Sequence, residues 1–270
     1  MQGSGVQGLE PTMKLLFLGT GTSVGIPMIG CHCPVCTSDD TRNVRRRSSL
    51  YVSTEEVAFV IDTPPDFRQQ MLDFHIERCD AVLFTHAHAD HIFGFDDIRR
   101  FNTIHQRVLP AYAEAETLAE LRRIFNYIDD QPSQLGLYRA QIAFHEIREP
   151  FRLGDIGIEP VPVQHGAAMT GYVLEHNGKR VGYVPDCHSL SPEAIQTLKG
   201  VDVMILDCLR YREHPAHLCV EESLAYLEQI APAQAFLMHL CHDIDHATLE
   251  ATLPPHIHVS YDGLTVTTPA

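Results

Sequence analysis

In Leu83-Phe84-Thr85-His86-Ala87-His88-Ala89-Asp90-His91, three imidazoles and a carboxylate fall within six residues, directly behind the apolar run Ala81-Val82-Leu83-Phe84. Residues two apart on an extended chain project to the same side. His86 and His88 can therefore hold one ion, while Asp90 and His91, past the bend, reach a second. Imidazole combined with carboxylate suits zinc, iron or manganese. A loop that is merely rich in histidine gives no reason for the H-x-H-x-D-H spacing at a strand end, so the stretch reads as a metal site.

Further candidates close strand-like runs elsewhere. Val161-Pro162-Val163-Gln164-His165 ends in an imidazole, Val181-Gly182-Tyr183-Val184-Pro185-Asp186 in a carboxylate, and Ala235-Phe236-Leu237-Met238-His239 in another imidazole. With the first four they make seven ligands, the number that a two-metal site with a bridging carboxylate requires. Asp62, which closes the run at 57–61, either orients a histidine ligand or caps the turn.

The 270 residues are 44% hydrophobic, enough to bury one large core or two small ones. With 20 Lys+Arg against 35 Asp+Glu, the net charge of −15 gives no electrostatic reason to hold long nucleic acid or an anionic membrane. No apolar run approaches the roughly 20 residues of a membrane span. Residues 1–12 lack the basic start and apolar centre of a signal peptide. A soluble cytoplasmic protein is expected, with 1–12 a disordered extension or tag remnant and 13–270 a single domain.

Three of the eight cysteines sit at 31, 33 and 36; the others, at 79, 187, 208, 219 and 241, read as buried free thiols. Cys31-His32-Cys33-Pro34-Val35-Cys36 supplies three thiolates to a structural zinc and leaves its tetrahedron one ligand short. His242 is the candidate fourth, with His32 and Cys241 as rivals.

Lys14–Leu18 reads as a strand running into Gly19-Thr20-Gly21-Thr22-Ser23-Val24-Gly25-Ile26-Pro27. A dinucleotide fingerprint needs its third glycine one residue earlier and a helix after it. A tight turn beside a substrate pocket fits better. The basic run Arg45-Arg46-Arg47 reads as a solvated loop face, with screening of an anionic substrate as the alternative. Strands are expected at 49–53, 57–61, 109–112, 156–163, 170–176 and 180–185, and helices at 67–75, 92–102 and 113–127. Residues 129–150 carry no clear pattern. Strands returning after a helical middle suggest two similar halves packed sheet against sheet with helices outside, an α/β fold of αββα layering.

From Met13 onward the sequence resembles the metallo-β-lactamase superfamily of hydrolases. The match lies in G-T-G-x-x-x-G-x-P, C-x-C-x-x-C, HAHADH, and the H-x-x-H of His239 and His242. Within the superfamily it is most similar to the phosphodiesterases that accompany carbon–phosphorus lyase in phosphonate breakdown, relatives of the tRNA 3′-processing endonuclease. The resemblance implies one metal on His86, His88 and His165, another on Asp90, His91 and His239, and Asp186 bridging them. It also implies a structural zinc on Cys31, Cys33, Cys36 and His242, and a catalytic histidine before the last helix, where His217 fits best.

The implied activity is hydrolysis of a small phosphodiester, expected to be cyclic, by hydroxide bridging two divalent metals, zinc or manganese. His217 would protonate the departing alkoxide and Asp90 would orient the nucleophile. No tRNA-docking insertion is recognisable, which speaks against a long-RNA substrate. The intact HAHADH separates the chain from cofactor-biosynthesis relatives that share its cysteine motif. A thioesterase or lactonase of the same fold, a di-iron redox protein and a metal-stapled scaffold without turnover are the alternatives. A homodimer is compatible with the sequence, although no motif specifies one.

Overall fold

The computed structural model describes residues 12–128, 139–166 and 168–268; the segment expected to be an extension lies outside them apart from Thr12. The first half lays down β1 (Lys14–Gly19), β2 (Ser49–Ser53), β3 (Ala58–Ile61), β4 (Ala81–Leu83), β5 (Leu109–Ala113) and β6 (Ile142–Glu146). The second lays down β7 (Phe151–Leu153), β8 (Ile156–Gln164), β9 (Ala168–His176), β10 (Lys179–Val184), β11 (Val203–Asp207), β12 (Gln234–Met238) and β13 (Ile257–Val259), and β14 (Thr265–Thr267) returns to the first. The two seven-stranded sheets run β14-β1-β2-β3-β4-β5-β6 and β13-β12-β11-β10-β9-β8-β7. Each mixes an antiparallel part with parallel strands, β3 to β6 in one and β10 to β13 in the other.

Between the sheets, Leu15, Phe17, Phe59 and Ile61 meet Ile158, Tyr172, Ile205 and Phe236. The opposite face of the first sheet, with Leu16, Leu18, Val60 and Val82, packs on Phe67 and Met71 of α1 (Phe67–Asp73). It also receives Ile92 of α2 (Ala89–Ile92), Phe101 of α3 (Arg99–His105) and Leu121 of α4 (Ala115–Ile124). On the second sheet Val163, Val184, Leu206 and Leu237 meet Leu198 of α5 (Pro192–Leu198), Leu227 of α6 (Val220–Ile230) and Leu249 of α7 (His246–Glu250). Successive residues of one strand thus enter different apolar layers, which is why these strands read as continuous apolar runs. The layering is αββα, as the sequence suggests.

Two local expectations are corrected. The helix expected over 92–102 is broken into α2, a 3₁₀ turn at Phe95–Ile98 and α3. Gly94 lies so close to the preceding loop that a Cβ there would stand 2.1 Å from the Pro64 carbonyl oxygen, and its N–H donates to Thr63 O. The basic run is a solvated face only in part. Arg45 is buried and donates to the carbonyls of Cys241 and Ile244, Arg46 pairs with Asp73, and Arg47 with Asp66. All three guanidinium groups thus hold protein groups.

Among the described residues no helix is long and apolar enough to cross a membrane.

Candidate metal centre

Strand direction assembles the site. Within the second sheet β8, β10, β11 and β12 share one direction, as β3 and β4 do in the first. Their carboxyl ends deliver His165, Asp186, Asp207 and His239 from one sheet and Asp62 and His86 from the other. His88 follows β4 as the residue before α2, and Asp90 and His91 ride on its single turn. All seven proposed ligands converge.

Ligand atoms of His86, His88 and His165 lie within 4.8 Å of one another, and those of Asp90, His91, Asp186 and His239 form a second such group. Asp186 joins them, with Oδ2 3.4 Å from Nε2 of both His165 and His239, and Oδ1 3.3 Å from His91 Nε2. Buried atoms without hydrogen-bond partners gather there: His91 Nε2, His239 Nε2 and Asp186 Oδ1. Leaving such groups unmatched costs about 1–3 kcal/mol each, and a cation among them satisfies all three. The donor set, imidazole nitrogen and carboxylate oxygen, suits two divalent ions.

Titration points the same way. Burial alone raises the Asp186 carboxyl, but the charges of His239 and His91 outweigh it and hold it well below the ordinary range. Burial lowers His239, yet Asp186 and Asp90 bring it up to about 9. His165, dominated by burial, falls to about 4. A carboxylate held ionised in a buried place by two of its imidazole neighbours marks a site that favours positive charge.

Partners behind the ligands fix their orientation. Asp62 Oδ2 stands 2.8 Å from His91 Nδ1 while Oδ1 accepts the Thr85 N–H at 2.8 Å, so of its two readings the histidine-orienting one holds. Thr85 Oγ1 is 3.0 Å from His86 Nδ1, and Ala216 O is 2.8 Å from His165 Nδ1. Each contact occupies Nδ1 and leaves Nε2 to face the cluster. The glycine turn approaches from the side. Thr22 N donates to Leu240 O and Leu240 N to Thr20 O, tying the turn to the residue after His239.

His217 stands over the cluster, its ring 4.4 Å from that of His239 and 4.5 Å from that of His165. Its Nδ1 lies 2.9 Å from Oδ2 of the fully buried Asp207. Asp207 escapes the sequence reading, although Val203-Met204-Ile205-Leu206-Asp207 carries the same signal as Asp186, an apolar strand closed by a carboxylate. Burial, and then the charge of His239, push the His217 imidazole down to about 3.

A separate cluster unites Cys31, Cys33, Cys36 and His242. His242 Nδ1 lies 3.2 Å from Cys31 Sγ and 3.6 Å from Cys33 Sγ. The rivals His32 and Cys241 are not part of this group; Cys241 Sγ instead accepts the Asp243 N–H. Three thiols and an imidazole fit a tetrahedral zinc. The loop they would fasten rests on a small apolar cluster, Ile26, Val35 and Cys36. Of the scattered cysteines, Cys79, Cys187, Cys208 and Cys219 are buried and Cys241 half-buried, all as free thiols.

Comparison with known proteins places this geometry. Residues 58–240 match the model of the beta-lactamase superfamily domain. A crystal structure titled as a new diphosphatase from the PhnP family is 34% identical, covers 95% of this chain and 97% of its own, and superposes with a TM-score of 0.86. An octanoyltransferase of Porphyromonas gingivalis is 36% identical over 258 residues, 93% of this chain; the chain spans about half (51%) of that relative's length. Coenzyme PQQ synthesis protein B of Methylobacterium nodulans is 26% identical over 72% of each chain.

Proposed function

The chain belongs to the metallo-β-lactamase superfamily of hydrolases, and from that membership we propose that it is a metal-dependent phosphodiesterase acting on small diesters. The observation that carries this reading is the pairing of the seven-ligand cluster with His217, which Asp207 holds over it. Two divalent cations bound there supply charge that acidifies the attacking water and neutralises the non-bridging phosphate oxygens.

The protein's own groups do the rest. Asp186 reaches both ligand groups and sets their spacing. Asp90, whose carboxyl burial raises but hydrogen bonds from His239 and His91 bring below its ordinary value, stays ionised to orient the nucleophile. Burial holds the His217 imidazole neutral and raises the Asp207 carboxyl beside it well above its ordinary range, and an entering phosphate anion favours the imidazolium form of His217. The proton then passes from Nε2 to the departing alkoxide, a role worth about 10²–10⁴ in rate.

Support for phosphorus chemistry comes from the relative named a diphosphatase, which matches nearly the whole chain. The octanoyltransferase name favours a second reading, attack on an acyl carbonyl, but half of that protein lies outside the shared region. The net charge of −15 fits a small substrate better than a long nucleic acid. The free thiols fit a reducing, cytoplasmic compartment. Residues 13–270 act in this reading as one hydrolase domain, with zinc or manganese at the active site and zinc at Cys31.

The test is turnover of metal-analysed protein, loaded with zinc or manganese, on a 2′,3′-cyclic nucleotide, a linear diester, a glutathione thioester and a lactone, each beside His217→Ala. Diester hydrolysis that collapses in the variant supports the proposal. Activity confined to the carbonyl substrates refutes it in favour of the acyl reading.

A further inference from the structure

The loop that carries His217 brings a second imidazole to the same flank of the metal cluster. In His214-Pro215-Ala216-His217, Ala216 faces both ways: its carbonyl oxygen lies 2.8 Å from Nδ1 of the ligand His165, and its N–H donates to His214 Nδ1 at 3.2 Å. One residue thus ties His214 to a metal ligand. The ring of His214 stands 5.2 Å from that of His217, inclined at 46°, and Pro215 between them narrows the backbone freedom of the loop. Proton transfer by His217 makes no use of this side chain.

The tautomer of His214 follows from its partner. A neutral imidazole whose Nδ1 accepts a hydrogen bond carries its proton on Nε2. Burial, and then the charges of His217, Arg210, His239 and His188, lower its basicity, so the ring stays neutral. Among the described residues Nε2 has no hydrogen-bond partner, and the residue is half-buried. His214 therefore offers one N–H of fixed position to whatever enters beside His217.

Proton transfer fixes what that donor meets. A general acid must face the oxygen that departs, so the departing group lies against His217 and its neighbour. Hydrogen bonds of about 2.7–3.2 Å from two rings this close span two oxygens of one small group. We propose that His214 is a specificity-determining residue whose Nε2–H binds the oxygen next to the departing one, so that preferred substrates release an alcohol with vicinal oxygens, as in glycerol or a sugar, rather than a plain alkanol. The inference rests on the phosphodiesterase reading and specifies its substrate class. Water forms the new bond to phosphorus, the bond from phosphorus to the departing oxygen breaks, and the proton of His217 ends on that oxygen. His214 keeps its proton throughout, and the products are a phosphomonoester and the alcohol.

Metal-loaded wild type, His214→Ala and His214→Gln are compared on thymidine 5′-phosphate esterified either with 2-methoxyethanol or with n-butanol, isosteric alcohols that differ by an oxygen in place of one methylene. Formation of thymidine 5′-phosphate counts departure of the alcohol alone, and the intrinsic reactivities of the two diesters cancel between proteins. The ratio of kcat/KM for the methoxyethyl ester to that for the butyl ester should fall by about threefold to tenfold in His214→Ala. It should stay near the wild-type value in His214→Gln, whose amide N–H replaces that of Nε2. A ratio unchanged in His214→Ala overturns the proposal, as does equal loss on both diesters, which would assign His214 to the phosphate or to the fold. A ratio lost alike in both variants overturns it too, since bulk rather than the N–H would then be read. A second arm needs no turnover: the 2-methoxyethyl and n-butyl monoesters of methylphosphonic acid are titrated by calorimetry into metal-loaded His217→Ala, with and without His214→Ala. Tighter binding of the methoxyethyl ester that the second substitution erases supports the proposal, and equal binding or none overturns it. If wild type cleaves neither diester, the phosphodiesterase reading fails while this arm still judges His214.

Discussion

Asp207 Oδ2 lies 2.9 Å from His217 Nδ1 and also accepts the N–H of Cys187 at 2.7 Å, so the imidazole is fixed to the end of a buried strand. His217 sits on a loop, and its aim over the cluster comes from this carboxylate. Replacing His217 with Ala should lower kcat on an unactivated diester by about 10²–10⁴. Asp207→Ala should lower it less, and the double variant should be little worse than His217→Ala, because the two act as a unit. Steady-state kinetics of the three variants checks this; losses that multiply would show independent roles.

The two metal clusters share no ligand, which makes them separable. Asp186→Ala should abolish turnover and deplete the dinuclear site while zinc stays bound at Cys31. Cys33→Ser should remove one equivalent of zinc and lower the melting temperature, with activity partly retained. Metal content by mass spectrometry beside a thermal melt reads both. Equal metal loss in the two variants would sink the idea of independent sites.

Within the thiol cluster the metal-free protein should show ordered reactivity. The N–H of Cys36 points at Cys33 Sγ from 3.4 Å and, with smaller contributions from Cys31 and His242, brings the Cys33 thiol down to about 6. Burial pushes Cys36 up to about 11. Only the thiolate attacks an alkylating agent, so after chelation at neutral pH Cys33 should be labelled well before Cys36. Its labelling should fade as pH falls through about 6, and peptide mapping follows both. Faster labelling of Cys36 would contradict the arrangement.

How much of this was legible in the sequence depends on where each signal lies. The αββα layering was readable because strands such as Leu15-Leu16-Phe17-Leu18 bury both faces and so stay apolar throughout. The seven ligands were readable because His165, Asp186 and His239 each close an apolar strand and the other four share one short motif behind β4. His217 was not, since a loop histidine carries no periodicity; it was identified through family resemblance and is placed by a carboxylate ten residues away in the chain. The buried state of Arg45 was hidden for a similar reason: its partners, the carbonyls of Cys241 and Ile244, come from the far end of the sequence. Strands β6, β7, β13 and β14 are sheet-edge elements, and except for β6 each has only three residues, too few to show alternation.

Asp62 offers the sharpest test of how the ligands are oriented. Its Oδ2 takes the Nδ1 proton of His91 and the hydroxyl proton of Thr85, while Oδ1 takes the Thr85 N–H. Asn in its place can keep the Thr85 N–H on its oxygen, and asparagine tolerates the positive φ of 66° at this position. Its NH₂ group then faces His91 Nδ1 and forces that nitrogen to accept, which moves the ring proton to Nε2, the atom that must bind metal. Asp62→Asn should therefore fold, keep the zinc at Cys31 and lose affinity by about 10- to 100-fold for the metal held with Asp90 and His239. Metal titration monitored by activity and by bound equivalents checks this, and full retention of both active-site metals would show that Asp62 serves the turn rather than the ligand.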